Sequence, residues 1–152
     1  MIRGNVRGTK GVTMPQQTIK PDCLSIILCD AIFTDPTTGK LTLLGVMDYA
    51  HAKDFPINCT SLVLYFELTN GRGDFDINLR VVRATADKLE GEEIRKSEAP
   101  IKVKFTEPRT LQRGMFDASG TQLPEPGEYR FILEGNGEYI AERRMTAIRR
   151  ES

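Results

Sequence analysis

His51 is the single imidazole of this 152-residue chain, and Asp48 and Asp54 stand three residues to either side of it. A histidine with two carboxylates can begin either an acid–base pair or a divalent-metal site. Each chemistry needs more than these three. A metal wants three or four convergent ligands, and no cysteine or second histidine is spaced to join them. A serine or cysteine nucleophile would have to take His51 as its base, and no G-x-S-x-G turn is there to present one. The segment therefore reads as a solvated loop ahead of Phe55-Pro56, and a hydrolase built from the acids around Asp48, His51 and Asp54 is the weakest functional reading. Carboxylate pairs for sugar hydrolysis would have to come from acids on outer strand faces and in turns, where solvation accounts for them. The sequence assigns no catalytic residue, no metal ligand and no cofactor-binding residue, and it predicts a chain that is not an enzyme and takes no cofactor.

Other polar positions invite the same test. Asp30 interrupts the apolar run Leu24–Phe33. Buried, it would need a hydrogen-bonded or charged partner, such as Lys40 or an arginine of a neighbouring strand. Otherwise it marks a bulge or the exit of the strand to solvent. Arg72-Gly73-Asp74 spells an adhesion tripeptide but fits turn chemistry, and Asn58-Cys59-Thr60 matches a glycosylation pattern without the secretory route it requires. Cys23, Cys29 and Cys59 are odd in number, so no complete disulfide set exists. Cys23 and Cys29, six apart, fall on one face of a regular strand and too far along it to bond. They read as buried reduced thiols.

The elements that position these residues are strands. The segment Pro126-Gly127-Glu128-Tyr129-Arg130-Phe131-Ile132-Leu133-Glu134-Gly135-Asn136-Gly137-Glu138-Tyr139-Ile140 predicts a closing hairpin, with Tyr129, Phe131 and Leu133 on one face and Arg130 and Glu134 on the other. Leu62, Leu64, Phe66 and Leu68 share a face, as do Phe75, Ile77, Leu79 and Val81; Asn70-Gly71 between them predicts a second hairpin. Leu24 to Phe33 suits a central strand. Leu41 and Leu43 alternate until the phase slips at Leu44-Gly45-Val46, which predicts a bulge. Residues 85–98 read as a turn of helix or a charged loop, Ile101–Phe105 as a half-buried strand, and Leu111–Met115 as a short edge. The last strand runs to about Ile148, with Tyr139/Ala141/Met145 and Ile140/Ile148 as rival inward sets. Residues 1–21 form a basic leader predicted to be disordered, in which Met14 offers an internal start, and residues 22–150 form one β-sandwich domain.

Seven to eight short strands, glycine-marked turns and no long amphipathic helix predict an all-β fold: a two-sheet antiparallel β-sandwich, immunoglobulin-like in its layout. With no Trp in the chain, an antibody-type Cys…Trp…Cys core is excluded. Tyr129, just after a Pro-Gly corner, stands where a tyrosine corner would tie its hydroxyl to nearby backbone; an ordinary core aromatic is the other reading. With 21 basic and 21 acidic side chains, the chain has no global field for nucleic acid or anionic membrane. No run approaches a membrane span, and no apolar block follows the basic N-terminus, so the predicted compartment is the cytoplasm.

The segments Leu28-Cys29-Asp30-Ala31, Thr38-Gly39-Lys40-Leu41-Thr42-Leu43-Leu44-Gly45-Val46 and Pro126-Gly127-Glu128-Tyr129-Arg130-Phe131 occur in this order. Together they resemble a family of small uncharacterised bacterial proteins, over residues 22 to 148. The resemblance implies a bacterial source and an immunoglobulin-like sandwich. It carries no assigned activity, cofactor or catalytic residue.

The functional reading is a non-enzymatic cytoplasmic bacterial module that binds or assembles with an unknown protein partner, a homodimer through an edge strand being one form of it. Ile101–Phe105 and the last strand are the expected margins, with Lys102, Lys104, Arg143 and Arg144 discouraging promiscuous pairing. The alternative is a small-molecule or carbohydrate-binding domain with a cleft between the sheets or at the loop end, lined by some of Tyr49, Phe55, Tyr65 and Tyr139. The missing Trp counts against sugar binding.

Overall fold

The computed structural model describes residues 17–87 and 91–151. Among these residues every regular element is a strand, because apolar side chains recur at every second position and no longer period competes. The strands are β1 (Asp22–Cys29), β2 (Ala31–Thr34), β3 (Leu41–Leu44), β4 (Tyr49–Ala52), β5 (Ile57–Cys59), β6 (Val63–Thr69) and β7 (Gly73–Arg83), then β8 (Glu93–Lys96), β9 (Ile101–Phe105), β10 (Gln112–Asp117), β11 (Thr121–Leu123), β12 (Gly127–Gly135) and β13 (Glu138–Arg149). The class is all-β, as the sequence predicts. The layout is more divided than seven or eight strands in two sheets. A six-stranded sheet runs β4-β13-β12-β7-β8, with β9 also on β7; a three-stranded sheet runs β1-β6-β10; β5 pairs β11, and β2 pairs β3. Among the described strands only β13 and β4 run parallel. No helix among the described residues is long and apolar enough to cross a membrane.

The core lies between the six-stranded and three-stranded sheets. Phe75, Ile77, Leu79 and Val81 of β7 meet Tyr129, Phe131 and Leu133 of β12 on one side, and Leu28, Leu64, Phe66, Leu68 and Phe116 close it from the other. Each such side chain contributes roughly 1.5–3 kcal/mol by leaving water.

The closing hairpin forms as predicted. β12 and β13 pair from Gly127↔Ala147 to Gly135↔Glu138, and the two turn residues Asn136 and Gly137 both take positive φ (51° and 82°), as a type I′ turn requires. Asn136 also ties the turn to β7, its Oδ1 accepting from the Asp76 N–H at 2.9 Å. The rival registers of the last strand are reconciled by a bulge between Leu133 and Glu134 of the pairing, which leaves Ile140 unpaired opposite them. Met145 and Ala147 thereby face the core from one phase, and Ile140 packs against it from the other.

The second predicted hairpin does not exist. β6 pairs β1 and β10, whereas β7 pairs β12, β8 and β9. The chain crosses from one sheet to the other at residues 70–72, and the two apolar faces meet across the core instead of lying side by side. Arg72-Gly73-Asp74 belongs to this crossover, where Arg72 exchanges backbone hydrogen bonds with Ile19 at 3.0 Å each. Residues 1–16 of the expected leader lie outside the described residues. The rest of it is held to the domain by that bridge and by Lys20 Nζ, which donates to the Tyr139 carbonyl at 2.9 Å.

The first strand is shorter than the apolar run suggests. A bulge at Leu24, between Cys23↔Leu68 and Ser25↔Glu67, puts Cys23 on the core face and Cys29 on the opposite one. The cysteines expected on one face are therefore separated by it. Asp30 is exposed and ends the strand: its N–H donates to the Leu44 carbonyl at 2.8 Å, and the chain leaves for the separate β2–β3 arm. Gly45 ends β3 at φ +70°, so the phase slip is a turn and not a bulge; a β-carbon there would overlap the Asp30 carboxylate. Part of the segment read as turn of helix or loop, residues 93–96, is a strand on β7.

Candidate functional site

The acids flanking His51 do not converge on it. Asp48 Oδ1 accepts from Arg143 Nη2 at 2.7 Å, and the exposed His51 ring lies 6.2 Å from that of Tyr49 on the same face of β4. Among the described residues no three His, Cys, Asp or Glu side chains group where they could hold a metal. The four aromatics expected in a cleft are dispersed as well. Tyr49 lies on β4, Phe55 under the Arg149 guanidinium (5.1 Å to the ring), Tyr65 on the outer face of the three-stranded sheet, and Tyr139 beside the closing turn.

The outer acids are paired as well as solvated. Glu142 receives two bonds from the buried Arg130 guanidinium, one from Arg144 Nε at 3.0 Å and one from the Tyr139 hydroxyl at 3.1 Å. Arg130's donation, above all, lowers the Glu142 carboxyl to about 2. On the three-stranded sheet, the Tyr65 hydroxyl (2.6 Å) and Arg113 Nε (2.8 Å) both donate to Glu67 Oε2. Burial first, then Glu67, pushes the Tyr65 phenol up to about 12. This trio floors a shallow groove whose wall is the β2–β3 arm, with Ile32 and Leu41 facing it beside Met115.

Arg143 and Arg144, expected to guard a margin, lie on β13 ahead of residues 146–149, where β4 pairs it; Arg143 pairs Asp48 and Arg144 pairs Glu142. β9 is a margin, pairing β7 alone among the described strands, and Lys102 there meets Asp76 at 2.9 Å.

The opening that reaches the core lies at that margin. β7's neighbour breaks between Lys96 and Ile101, and across from it the chain breaks between Asp117 and Thr121; β8 meets β11 and β9 meets β10 on either side. Both breaks are fixed by serines. Ser97 Oγ accepts from the Leu79 N–H at 3.0 Å and donates to Asn78 Oδ1 at 3.1 Å, while Ser119 Oγ accepts from the Leu62 N–H at 3.1 Å. Arg95 spans the gap, its Nη1 2.9 Å from the Ala118 carbonyl, 2.8 Å from that of Ser119 and 3.0 Å from Thr121 Oγ1. Between the breaks is a cavity of about 280 Å³, lined by the buried Leu79, Val81 and Phe116, with Arg95 in its wall and Glu98 and Asp117 at its rim. Bonds from the Ser119 hydroxyl and N–H, with help from Arg95, hold the Asp117 carboxyl below its usual range.

None of these cleft residues is a site candidate in the sequence. Four-residue β8 is too short to show a period, and the pairing of two chain breaks across a margin is set by topology alone. The one signal available was Phe116, an apolar residue past the expected end of the Leu111–Met115 segment.

No curated protein matches the chain. Among solved structures, the crystal structure of β-D-glucoside glucohydrolase from Trichoderma reesei is similar over 85% of this chain and 19% of that one, at 9% identity and a TM-score of 0.44. A family model matches residues 24–148, and the chain belongs to that family, a family of unknown function (DUF6941).

Proposed function

We propose that this chain is a non-enzymatic binding module, cytoplasmic and bacterial, which holds a protein partner on the open face of its β2–β3 arm. An immunoglobulin-like sandwich is the fold we assign to it, on the support of the two facing sheets and of a buried Tyr129 that bonds backbone beside a Pro-Gly corner. Three free thiols, in a chain with no disulfide, fit a reducing compartment. The bacterial source rests on the motif resemblance. A non-enzymatic role is supported by the engagement of Asp48, Glu67 and Glu142 with arginines, which leaves His51 no paired acid.

One observation carries the partner reading. Phe33 and Leu44 lie diagonally on the same face of the arm, 55% and 51% exposed, and Val46 continues them at 57%. The arm's other face, Ile32 and Leu41, is turned onto Tyr65 and Met115. A two-stranded hairpin has no core of its own, and apolar side chains concentrated on its open face gain about 25 cal/mol per Å² when covered. The occupant that fits is a second copy. A two-fold contact places Phe33 of one arm on Leu44 of the other, satisfying both patches at once.

Light scattering across a concentration series tests it. The expected result is a dimer that grows with concentration and is abolished by Phe33→Ser with Leu44→Ser, at an unchanged melting temperature. A chain that stays monomeric at high concentration overturns the reading.

A further inference from the structure

We propose that the side cleft between Arg95, Glu98 and Asp117 binds a free α-amino acid with an apolar side chain, the carboxylate on Arg95, the ammonium on the acidic rim, and the side chain against Leu79, Val81 and Phe116.

Arg95 is the first support. Its Nη1 is fully used in pinning the two margins together, while Nε and Nη2 have no hydrogen-bond partner among the described residues. A guanidinium held rigid by one nitrogen presents the other two as a fork, the geometry that a carboxylate takes bidentately. Rigid placement also means that little side-chain entropy is lost on binding.

The rim is the second. Glu98 is exposed and has no hydrogen-bond or charged partner among the described residues, and Asp117 is held ionised by Ser119. A simple anion would meet these two carboxylates as well as Arg95, and a simple amine would meet Arg95 as well as the acids. A zwitterion satisfies both signs in one molecule, and its two charged groups branch from a single shared carbon. That carbon then directs a side chain inward.

The floor is the third. Leu79, Val81 and Phe116 are core residues, so the cavity ends in apolar surface. At about 280 Å³ it lies at the lower end of ligand pockets, which suits a single amino acid and excludes a disaccharide or nucleotide.

Nuclear magnetic resonance titration with L-leucine tests the assignment, with 4-methylpentanoate (no ammonium) and isoamylamine (no carboxylate) as matched probes. Leucine is expected to move the amides of residues 95–99 and 116–119 at millimolar concentration. Each matched probe is expected to bind at least about tenfold more weakly, since one charged end is left unpaired. Glu98→Gln, at an exposed position, should weaken leucine binding without changing the melting temperature. Ala99→Trp, which fills the cleft from its rim and leaves Arg95 untouched, should abolish the shifts in a chain of unchanged fold. Absence of leucine shifts, equal binding of 4-methylpentanoate, or undiminished binding by the Ala99→Trp chain overturns the proposal.

Discussion

The Tyr129 hydroxyl closes on Glu125 twice, donating to its carbonyl at 2.5 Å and accepting from its N–H at 3.1 Å. The ring is fully buried, so the polypeptide preceding β12 is tied to the core by one phenol. Tyr129→Phe keeps the packing and strands both Glu125 groups. The expected cost is about 2 kcal/mol, read as a lower urea midpoint at unchanged slope. A loss below about 0.5 kcal/mol would mean that water replaces the hydroxyl without penalty.

That corner was legible in the sequence, because a tyrosine two residues past Pro-Gly has few places to put its oxygen. The alternation at 62–68 and 75–81 was equally legible: every residue expected inward there is buried. What the alternation does not hold is the partner. Two strands with matching apolar faces bury them equally well side by side in one sheet or face to face across a core. Leu62–Leu68 and Phe75–Val81 take the second course. Asn70-Gly71 looked like a hairpin turn because a crossover between sheets needs the same positive φ, here 59° at Asn70. The cleft was illegible for a related reason: Arg95 and Asp117 come together only through which margin meets which.

The Glu142 cluster gives the protein an acid limb. Its carboxyl lies near 4.5 when unfolded and at about 2 when folded, so the unfolded chain binds its proton more readily. The contribution is complete above about pH 4.5 and is lost as the pH falls through about 2. Glu142→Gln removes the ionised acceptor and leaves Arg130 buried against a neutral amide. It should cost about 2 kcal/mol at neutral pH, and the stability difference from the parent chain should shrink between pH 4.5 and 2. Chemical denaturation at several pH values measures both. A constant difference across that window would show that Glu142 does not titrate with folding.

Asp30 and Gly45 form a pair in which only the glycine is expected to be costly. Asp30 is exposed, so Asp30→Ala should change stability by less than about 0.5 kcal/mol. Gly45→Ala forces a β-carbon into a positive-φ residue, costing about 1–2 kcal/mol, and adds the overlap with the Asp30 carboxylate. In the Asp30→Ala background the overlap disappears while the backbone cost stays. A double-mutant cycle should therefore show Gly45→Ala to be milder in that background than beside the native aspartate. Strict additivity would mean that the carboxylate simply swings away.

The crossover of β6 and β7 can be checked without any substitution. Leu64 has Leu28 and Phe116 as its pairing neighbours, and Leu79 has Leu133. Backbone Overhauser contacts should run from residues 63–69 to 22–29 and 112–117, and from 73–83 to 127–135. A hairpin would instead produce a ladder stepping from Leu68 and Phe75 outward to Leu62 and Val81. Side-chain contacts between those same strands are expected in both arrangements, since the core brings their apolar faces together either way. The backbone contacts alone separate them, because strands in one sheet lie ~4.8 Å apart and facing sheets ~10 Å. A ladder between 62–68 and 75–81 would overturn the topology, and with it the facing of the two chain breaks on which the side cleft depends.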